Sequence, residues 1–306
     1  MTSPFGDLVV IANPRSGRGR VGEELPELER QLLARRLGHR IVATEGPGHA
    51  SAIAADALRD GTRFLVAVGG DGTVQEVVNG MIEDDRPVAP DAVLGVVAAG
   101  SGSDFVRTFG LPGDAIRAVR HLEGDRVYPI DVMRVDVAAD GGTDSRYVPN
   151  IAEVGLGADV VRRAERLPRW LGRSRYFWGF WLSMGGHRPT PIDVGVDRKS
   201  FRGMANNVVV ANCQFYGGGM KVSPRSYPSD GLLDVQISTG PKSEAFTLLP
   251  KIYRGEHVPH PHIKELRGRE VRVEAERPLS VEGDGEVLGM TPARFTVLPE
   301  ILTLKI

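Results

Sequence analysis

Four short apolar runs in the first 125 or so residues are separated by stretches of helical period, and two of them end in glycine-rich turns. The runs are DLVVIA (7–12), HRIVAT (39–44), RFLVAV (63–68) and VLGVVA (93–98). Strands buried on both faces read as unbroken apolar runs, whereas half-exposed strands alternate. Between the runs lie VGEELPELERQLLARRLG, with Leu25, Leu28 and Leu32 on one stripe, and GHASAIAADALRDG, with Ile53, Ala54, Ala57 and Leu58 on one face. Pro26 suits only the first turn of its helix, and Gly61 marks a stop. This alternation predicts a parallel sheet covered on both faces, with ligand-binding turns at the C-terminal ends of its strands.

From about Val127–Asp131 the rhythm changes. EVRVEA (270–275) alternates strictly, and IDVMRVDV, NVVVANC, LLDVQIS, LSVEG and ARFTVL are further short runs between turn residues. The pattern predicts an antiparallel sandwich or open barrel. The expected organisation is an α/β domain over 1–128 and a β-sandwich domain over 129–296, with the last segment, 297–306, either staying with the second or returning to the first.

The most informative turn is GGDGT, Gly69 to Thr73, between the third run and a helix carrying Val74, Val77, Val78 and Met81 on one stripe. Glycines allow a tight turn and close approach of another molecule, and a helix start offers free N–H groups to an anion, phosphate above all. Asp71 beside a phosphate would be repelled unless a cation such as Mg²⁺ bridges the two. An N-cap role would explain the aspartate but not the glycines around it. GRGRVG (17–22) follows a strand and precedes a helix, with Glu45 near the end of the next strand, which is most of a dinucleotide fingerprint. However, NPRS stands between that strand and Gly17, so the first glycine misses the tight turn. Arg15, Arg18 and Arg20 also suit a cationic phosphate loop, or a solvated connection. GxxxxGK[ST], HExxH and GxSxG are all missing, which removes the P-loop, zinc protease and serine hydrolase readings.

The chain has 306 residues, a net charge of −1 and one cysteine, Cys213. That balance points to no nucleic-acid partner, and a single thiol fits a reducing compartment. The N-terminal segment MTSPFGDLVVIANP lacks a basic, apolar leader pattern, and no apolar run nears the roughly 18 residues of a membrane span. A cytoplasmic protein is expected, with peripheral contact at the inner face of the membrane a further reading. The segment 162–189 supports that contact: Trp170, Trp178 and Trp181 interleave with Tyr176, Phe177 and Phe180 among seven arginines and one acid, Glu165. Such a mixture suits an anionic headgroup layer; the alternative is a helical insertion packed on the β-domain.

NPRSG (13–17), GGDGTVQEVVNG (69–80), AAGSGSDFVR (98–107), GGGMKVSP (217–224), SDGLLDV (229–235) and GDGE (283–286) occur in that order. Together they resemble the diacylglycerol kinase catalytic family, which includes bacterial lipid kinases and sphingosine kinases; GGDGT alone is shared with NAD kinases. The resemblance covers almost the whole chain. It implies an α/β nucleotide-binding domain over 1–128 completed by 297–306, a β-sandwich lipid-acceptor domain over 129–296, ATP and Mg²⁺ as cofactors, and transfer of a phosphoryl group to a lipid hydroxyl at a membrane surface. It places Asn13 and Ser16 in the first nucleotide loop, Thr44 near the nucleotide, and Gly69, Gly70, Asp71, Gly72 and Thr73 at the phosphates. It counts Glu76 among the nucleotide-binding residues, one helical turn from Asn79 on a polar face of the same helix. Ser101 corresponds to a nucleotide contact and Asp104 to the acid of a GTxND pattern, here preceded by Ser103 instead of Asn.

The resemblance also implies a structural metal at Asp230 with the carbonyls of Tyr227 and Leu232; the alternative for Asp230 is a turn before Gly231. Asp284 and Glu286 correspond to the catalytic acids: Glu286 as the base, Asp284 as its orienting or metal-linked partner, with exchanged roles also open and an ordinary D-G hairpin turn as the alternative. Competing readings are an NAD kinase-like enzyme on a soluble substrate, a non-catalytic nucleotide-binding regulator and, last, a Rossmann oxidoreductase.

Overall fold

The computed structural model describes residues 3–98, 104–139, 142–167, 179, 182–183 and 188–306. The chain divides into two compact units, one of Met1–Val132 with Pro299–Ile306 and one of Met133–Leu298.

The first unit runs β1 (Leu8–Ala12), α1 (Arg20–Ala34), β2 (His39–Ala43), α2 (His49–Arg59), β3 (Phe64–Gly69), α3 (Asp71–Met81), a two-strand ribbon β4 (Ile82–Glu83) and β5 (Arg86–Pro87), β6 (Val93–Ala98), α4 (Asp104–Thr108) and α5 (Ala115–Ala118). Its sheet has the order β2-β1-β3-β6, all parallel. The last residues of the chain add a further parallel strand, with Thr303 opposite Val93 and Leu304 opposite Leu94. β1, β3 and β6 are buried at every position, which is why they read as unbroken apolar runs. Their side chains pack with Val21, Leu28 and Leu32 of α1.

α1 differs from the sequence expectation. It starts at Arg20, so Pro26 falls in its second turn. The missing proline N–H leaves the Gly22 carbonyl without its usual helical partner. Burial of Val21, Leu28 and Leu32, at about 1.5–3 kcal/mol for each large side chain, is sufficient to hold the helix through that gap.

The second unit is antiparallel and sandwich-like. It comprises most of β7 (Val127–Ala139), β8 (Gly142–Val148), β9 (Ile151–Gly155), α6 (Leu156–Arg166), β10 (Thr190–Val196), β11 (Lys199–Ala205), β12 (Asn207–Ala211), β13 (Leu233–Ser238), α7 (Ala245–Arg254), β14 (Ile263–Gly268), β15 (Glu270–Ala275), β16 (Ser280–Gly283) and the greater part of β17 (Glu286–Lys305). One run of neighbours is β14-β13-β12-β9-β16-β17; β10 pairs with β11 and β15, and β7 with β8 and β17. The inward residues of these strands, among them Val135, Val154, Val194, Val210, Val235, Val273, Val281 and Phe295, form one core. Alternating strands were expected from their period, and β10, with Thr190, Ile192, Val194 and Val196 buried, shows it clearly.

Candidate active site

In the first unit, the candidate nucleotide residues collect at the C-terminal ends of β1, β2 and β3. β1 lies between the other two, so the turns after all three are neighbours. Gly70 is extended at φ −93°, ψ −175°, and α3 begins at Asp71. The Gly70 carbonyl accepts from the N–H groups of Thr73 at 3.0 Å and Val74 at 3.2 Å. The first N–H groups of α3 have no partner within their helix, and the helix dipole adds partial positive charge. Gly69 is needed for a different reason: a Cβ there would stand 2.4 Å from Thr73 Oγ1 and 2.7 Å from its Cβ. The turn is therefore a cradle of backbone donors that fits a phosphate.

Asn13 links the neighbouring turn to this cradle. Its Nδ2 donates to Thr73 Oγ1 at 3.4 Å, and its Oδ1 accepts from the Arg15 N–H at 3.1 Å. The Ser16 N–H donates to the Asn13 carbonyl at 3.0 Å. Thr44 follows β2 directly, its N–H donating to the Ala12 carbonyl at 2.8 Å. The loop 17–19 takes the left-handed region at Gly17, Arg18 and Gly19 (φ 62°, 66° and 92°). The strand thus does not pass straight into a dinucleotide turn.

Asp71 meets the start of α4. Asp71 Oδ1 accepts from the Phe105 N–H at 3.1 Å. Asp104 opens α4, is 4% exposed, and lies 3.5 Å from Arg107 Nε. Glu76 has a different task from the one its polar face suggests: its Oε2 accepts from the Ala50 N–H at 3.1 Å, capping the start of α2. Asn79 Nδ2 donates to the Gln75 carbonyl of its own helix at 2.8 Å. Ser101 and Ser103 lie outside the described residues, as do Trp170, Trp178 and Trp181 of the aromatic segment.

In the second unit, Asp284 and Gly285 form the two-residue turn between β16 and β17, with Gly283 opposite Glu286. Both have positive φ, 50° and 88°, as a type I′ hairpin turn requires. Asp284 is clamped to the start of β9: its N–H donates to the Ile151 carbonyl and its Oδ1 accepts from the Ile151 N–H, both at 3.0 Å. Glu286 is exposed. The two acids thus differ in kind. Asp284 ties the turn to β9, and Glu286 is exposed on its unit. Two further acids escaped sequence reasoning: Glu153 and Glu282 are both buried. The available signal was one glutamate in each of the apolar runs IAEVG and LSVEG.

The donor set proposed for a structural metal does not fit a bound cation. Asp230 Oδ1 accepts from the Leu232 N–H at 3.0 Å, and its Oδ2 is ion-paired with the Arg267 guanidinium. Arg267 Nε also lies 3.3 Å from Asp234 Oδ1. The Tyr227 carbonyl accepts from the Ser229 N–H at 2.9 Å. A guanidinium already supplies the positive charge at Asp230, and the loop is an aspartate turn of the ordinary kind.

A parallel α/β unit with a glycine cradle ahead of a helix, joined to an antiparallel sandwich-like unit, is the two-domain architecture of the NAD kinase and diacylglycerol kinase kind. The comparisons narrow it. Residues 7–135 match the diacylglycerol kinase catalytic domain, and residues 150–306 match the YegS C-terminal NAD kinase beta sandwich-like domain. The chain belongs to the diacylglycerol kinase catalytic-domain family of lipid kinases. It is 29% identical to the diacylglycerol kinase of Bacillus subtilis (strain 168), over 94% of this chain and 92% of that protein. It is also 29% identical to the diacylglycerol kinase of Mycobacterium tuberculosis (strain ATCC 25618 / H37Rv), over 97% of this chain and 94% of that one. The crystal structure of a diacylglycerol kinase from Bacillus anthracis str. Sterne shares the fold with a TM-score of 0.74, at 21% identity, over 99% of this chain and 97% of that one.

Proposed function

We propose that the protein transfers the γ-phosphoryl group of ATP to the hydroxyl of diacylglycerol or a related lipid alcohol. The observation that carries this reading is the Gly69–Thr73 cradle with Asp71 tied to the start of α4, within the region that matches the diacylglycerol kinase catalytic domain. Backbone N–H groups at the start of α3 hold the phosphates. Asn13, Ser16 and Thr44 line the neighbouring turns and orient the nucleotide. Mg²⁺ bound with the nucleotide supplies charge neutralisation at the phosphates, and Asp71 is the carboxylate that would hold it.

A lipid hydroxyl is a poor nucleophile until its proton has somewhere to go. In the transfer, a bond forms between the lipid oxygen and the γ-phosphorus, the bond from that phosphorus to the bridging oxygen of ADP breaks, and the hydroxyl proton passes to the Glu286 carboxylate. Asp284 keeps the turn in place through Ile151. Among the described residues no helix is long and apolar enough to cross a membrane. For access to a lipid substrate the proposed element is the Trp- and Arg-rich segment 162–189, in peripheral contact with the inner, cytoplasmic face of the membrane.

Incubation with radiolabelled ATP, Mg²⁺ and a panel of lipid alcohols in vesicles tests the reading. Label in a lipid product supports it; label only in a soluble acceptor such as NAD favours the NAD kinase-like alternative.

A further inference from the structure

β9 and β16 are antiparallel neighbours, and their register sets Glu153 opposite Glu282. Residues directly opposite in such a pair have Cβ atoms about 4.5–5.5 Å apart, so the two side chains start from adjacent positions. Glu282 is 0% exposed and Glu153 is 6% exposed. Val154 and Val281, opposite one another at the next position of the same two strands, point into the apolar core, so the two glutamates share the other face of the sheet. Among the described residues neither glutamate has a lysine or arginine as an ion-pair partner.

The surroundings are built to admit these two carboxyl groups. Asn207 Nδ2 donates to Glu153 Oε1 at 3.2 Å, while Asn207 Oδ1 accepts from the Gly157 N–H at 3.0 Å, which fixes the amide's orientation. Gly157 leaves room: a Cβ there would stand 1.6 Å from Glu153 Oε2. Glu282 Oε2 accepts from the Gly285 N–H at 2.9 Å. Glu282 Oε1 is buried without a hydrogen-bond partner among the described residues. An ionised carboxylate only accepts, so an opposing carboxylate can satisfy that oxygen only by carrying a proton.

Two like charges held this close and out of water repel strongly, which disfavours double ionisation. Among the described residues the other titratable groups that act on the pair are Asp284, whose charge raises Glu282 further, and Tyr216, whose hydroxyl is a hydrogen-bond partner of the two carboxyl groups and lowers both; neither brings positive charge. Burial pushes the Glu153 carboxyl up to about 7. Burial, then the Glu153 charge, pushes Glu282 well above the usual carboxylate range.

We propose that Glu153 and Glu282 share a proton in the folded enzyme and act as positioning residues that hold the Asp284–Gly285 turn, and through it Glu286. The proposal rests on the reading of Glu286 as the proton acceptor. The turn is held at two points: Glu282 takes the Gly285 N–H, and the start of β9, two residues from Glu153, takes Asp284. Loss of the shared proton leaves two buried anions on adjacent strands beneath that turn. The turn then loosens, and catalysis falls with it while nucleotide binding does not.

The test has two readouts on the full chain, for wild type, Glu282→Gln and Glu153→Gln. Glutamine at either position keeps an acceptor and adds a permanent donor. The first readout is the infrared C=O stretch of a protonated carboxylic acid in D₂O near neutral pH. It is expected in the wild type; its absence from the wild type overturns the shared proton. The second is the ratio of kcat at about pH 9 to kcat at about pH 7, with the KM for ATP measured alongside. One shared proton lost predicts a fall of roughly tenfold per pH unit above its pKa in the wild type, with KM for ATP unmoved and the fall missing from Glu282→Gln. An equal alkaline fall in wild type and variant overturns the positioning role. Where Glu282→Gln does not fold, Glu153→Gln reports on the same proton. A protein that shows the infrared band but phosphorylates no lipid overturns the Glu286 reading and leaves the proton pair standing.

Discussion

The carboxylate of Asp71 accepts a hydrogen bond from the backbone N–H of Phe105 at 3.1 Å, joining the start of α3 to the start of α4. Asparagine keeps that acceptor and removes the charge. Asp71→Asn should therefore fold normally, with a melting temperature within a few degrees of wild type, and lose kinase turnover by a factor on the order of 10² or more. Activity assays beside a thermal melt check this. Normal turnover in a well-folded variant contradicts the role given to Asp71.

Asp284 and Glu286 should separate in their behaviour, because one is clamped and the other exposed. Glu286→Gln is expected to abolish most lipid phosphorylation without a change in melting temperature or in ATP affinity beyond a few fold. Asp284→Ala removes the acceptor for the Ile151 N–H and places alanine at φ 50°. It should cost about 1–3 kcal/mol of stability. Asp284→Asn, which tolerates that backbone region and keeps an acceptor, should recover most of the stability. Equal melting temperatures for the alanine and asparagine variants would show that the clamp is not structural.

Arg267 beside Asp230 predicts that the SDGLLDV loop is indifferent to divalent cations. Wild type and Asp230→Asn should show the same shift in melting temperature on addition of Mg²⁺. A larger shift in the wild type would mean that Asp230 binds the ion.

How much of this was legible beforehand depended on sequence separation. β1, β3 and β6 could be read because strands buried on both faces have no polar positions to interrupt them. The cradle was legible because its glycines, its aspartate and the helix after it are contiguous. The capping of α2 by Glu76 was not, since the capped N–H at Ala50 lies in an earlier element. Nor was the pairing of Asp230 with Arg267, which comes from another strand, β14. Glu153 and Glu282 were hidden most deeply. Only the β9–β16 register reveals that the two acids face each other.

His121 gives the first unit an acid-sensitive point. Burial, reinforced by the charge of Lys305, pushes its imidazole down to about 4 from the usual 6.5. Between those values the unfolded chain takes up a proton that the folded chain refuses. Stability at His121 is thus complete above about pH 6.5 and is lost as the pH falls toward about 4, by up to roughly 3 kcal/mol. His121→Gln, which cannot titrate, should flatten the fall in melting temperature over that window. An unchanged slope would contradict the assignment.

The central claim is that the Asp71 cradle and Glu286 serve one reaction on a lipid hydroxyl. Its most direct measurement is phosphoryl transfer from radiolabelled ATP to diacylglycerol in anionic vesicles, for wild type, Asp71→Asn and Glu286→Gln. The account predicts Mg²⁺-dependent labelling of the lipid by the wild type, and a loss on the order of 10² or more in each variant while both remain folded. Wild-type levels of lipid labelling in both folded variants would contradict it.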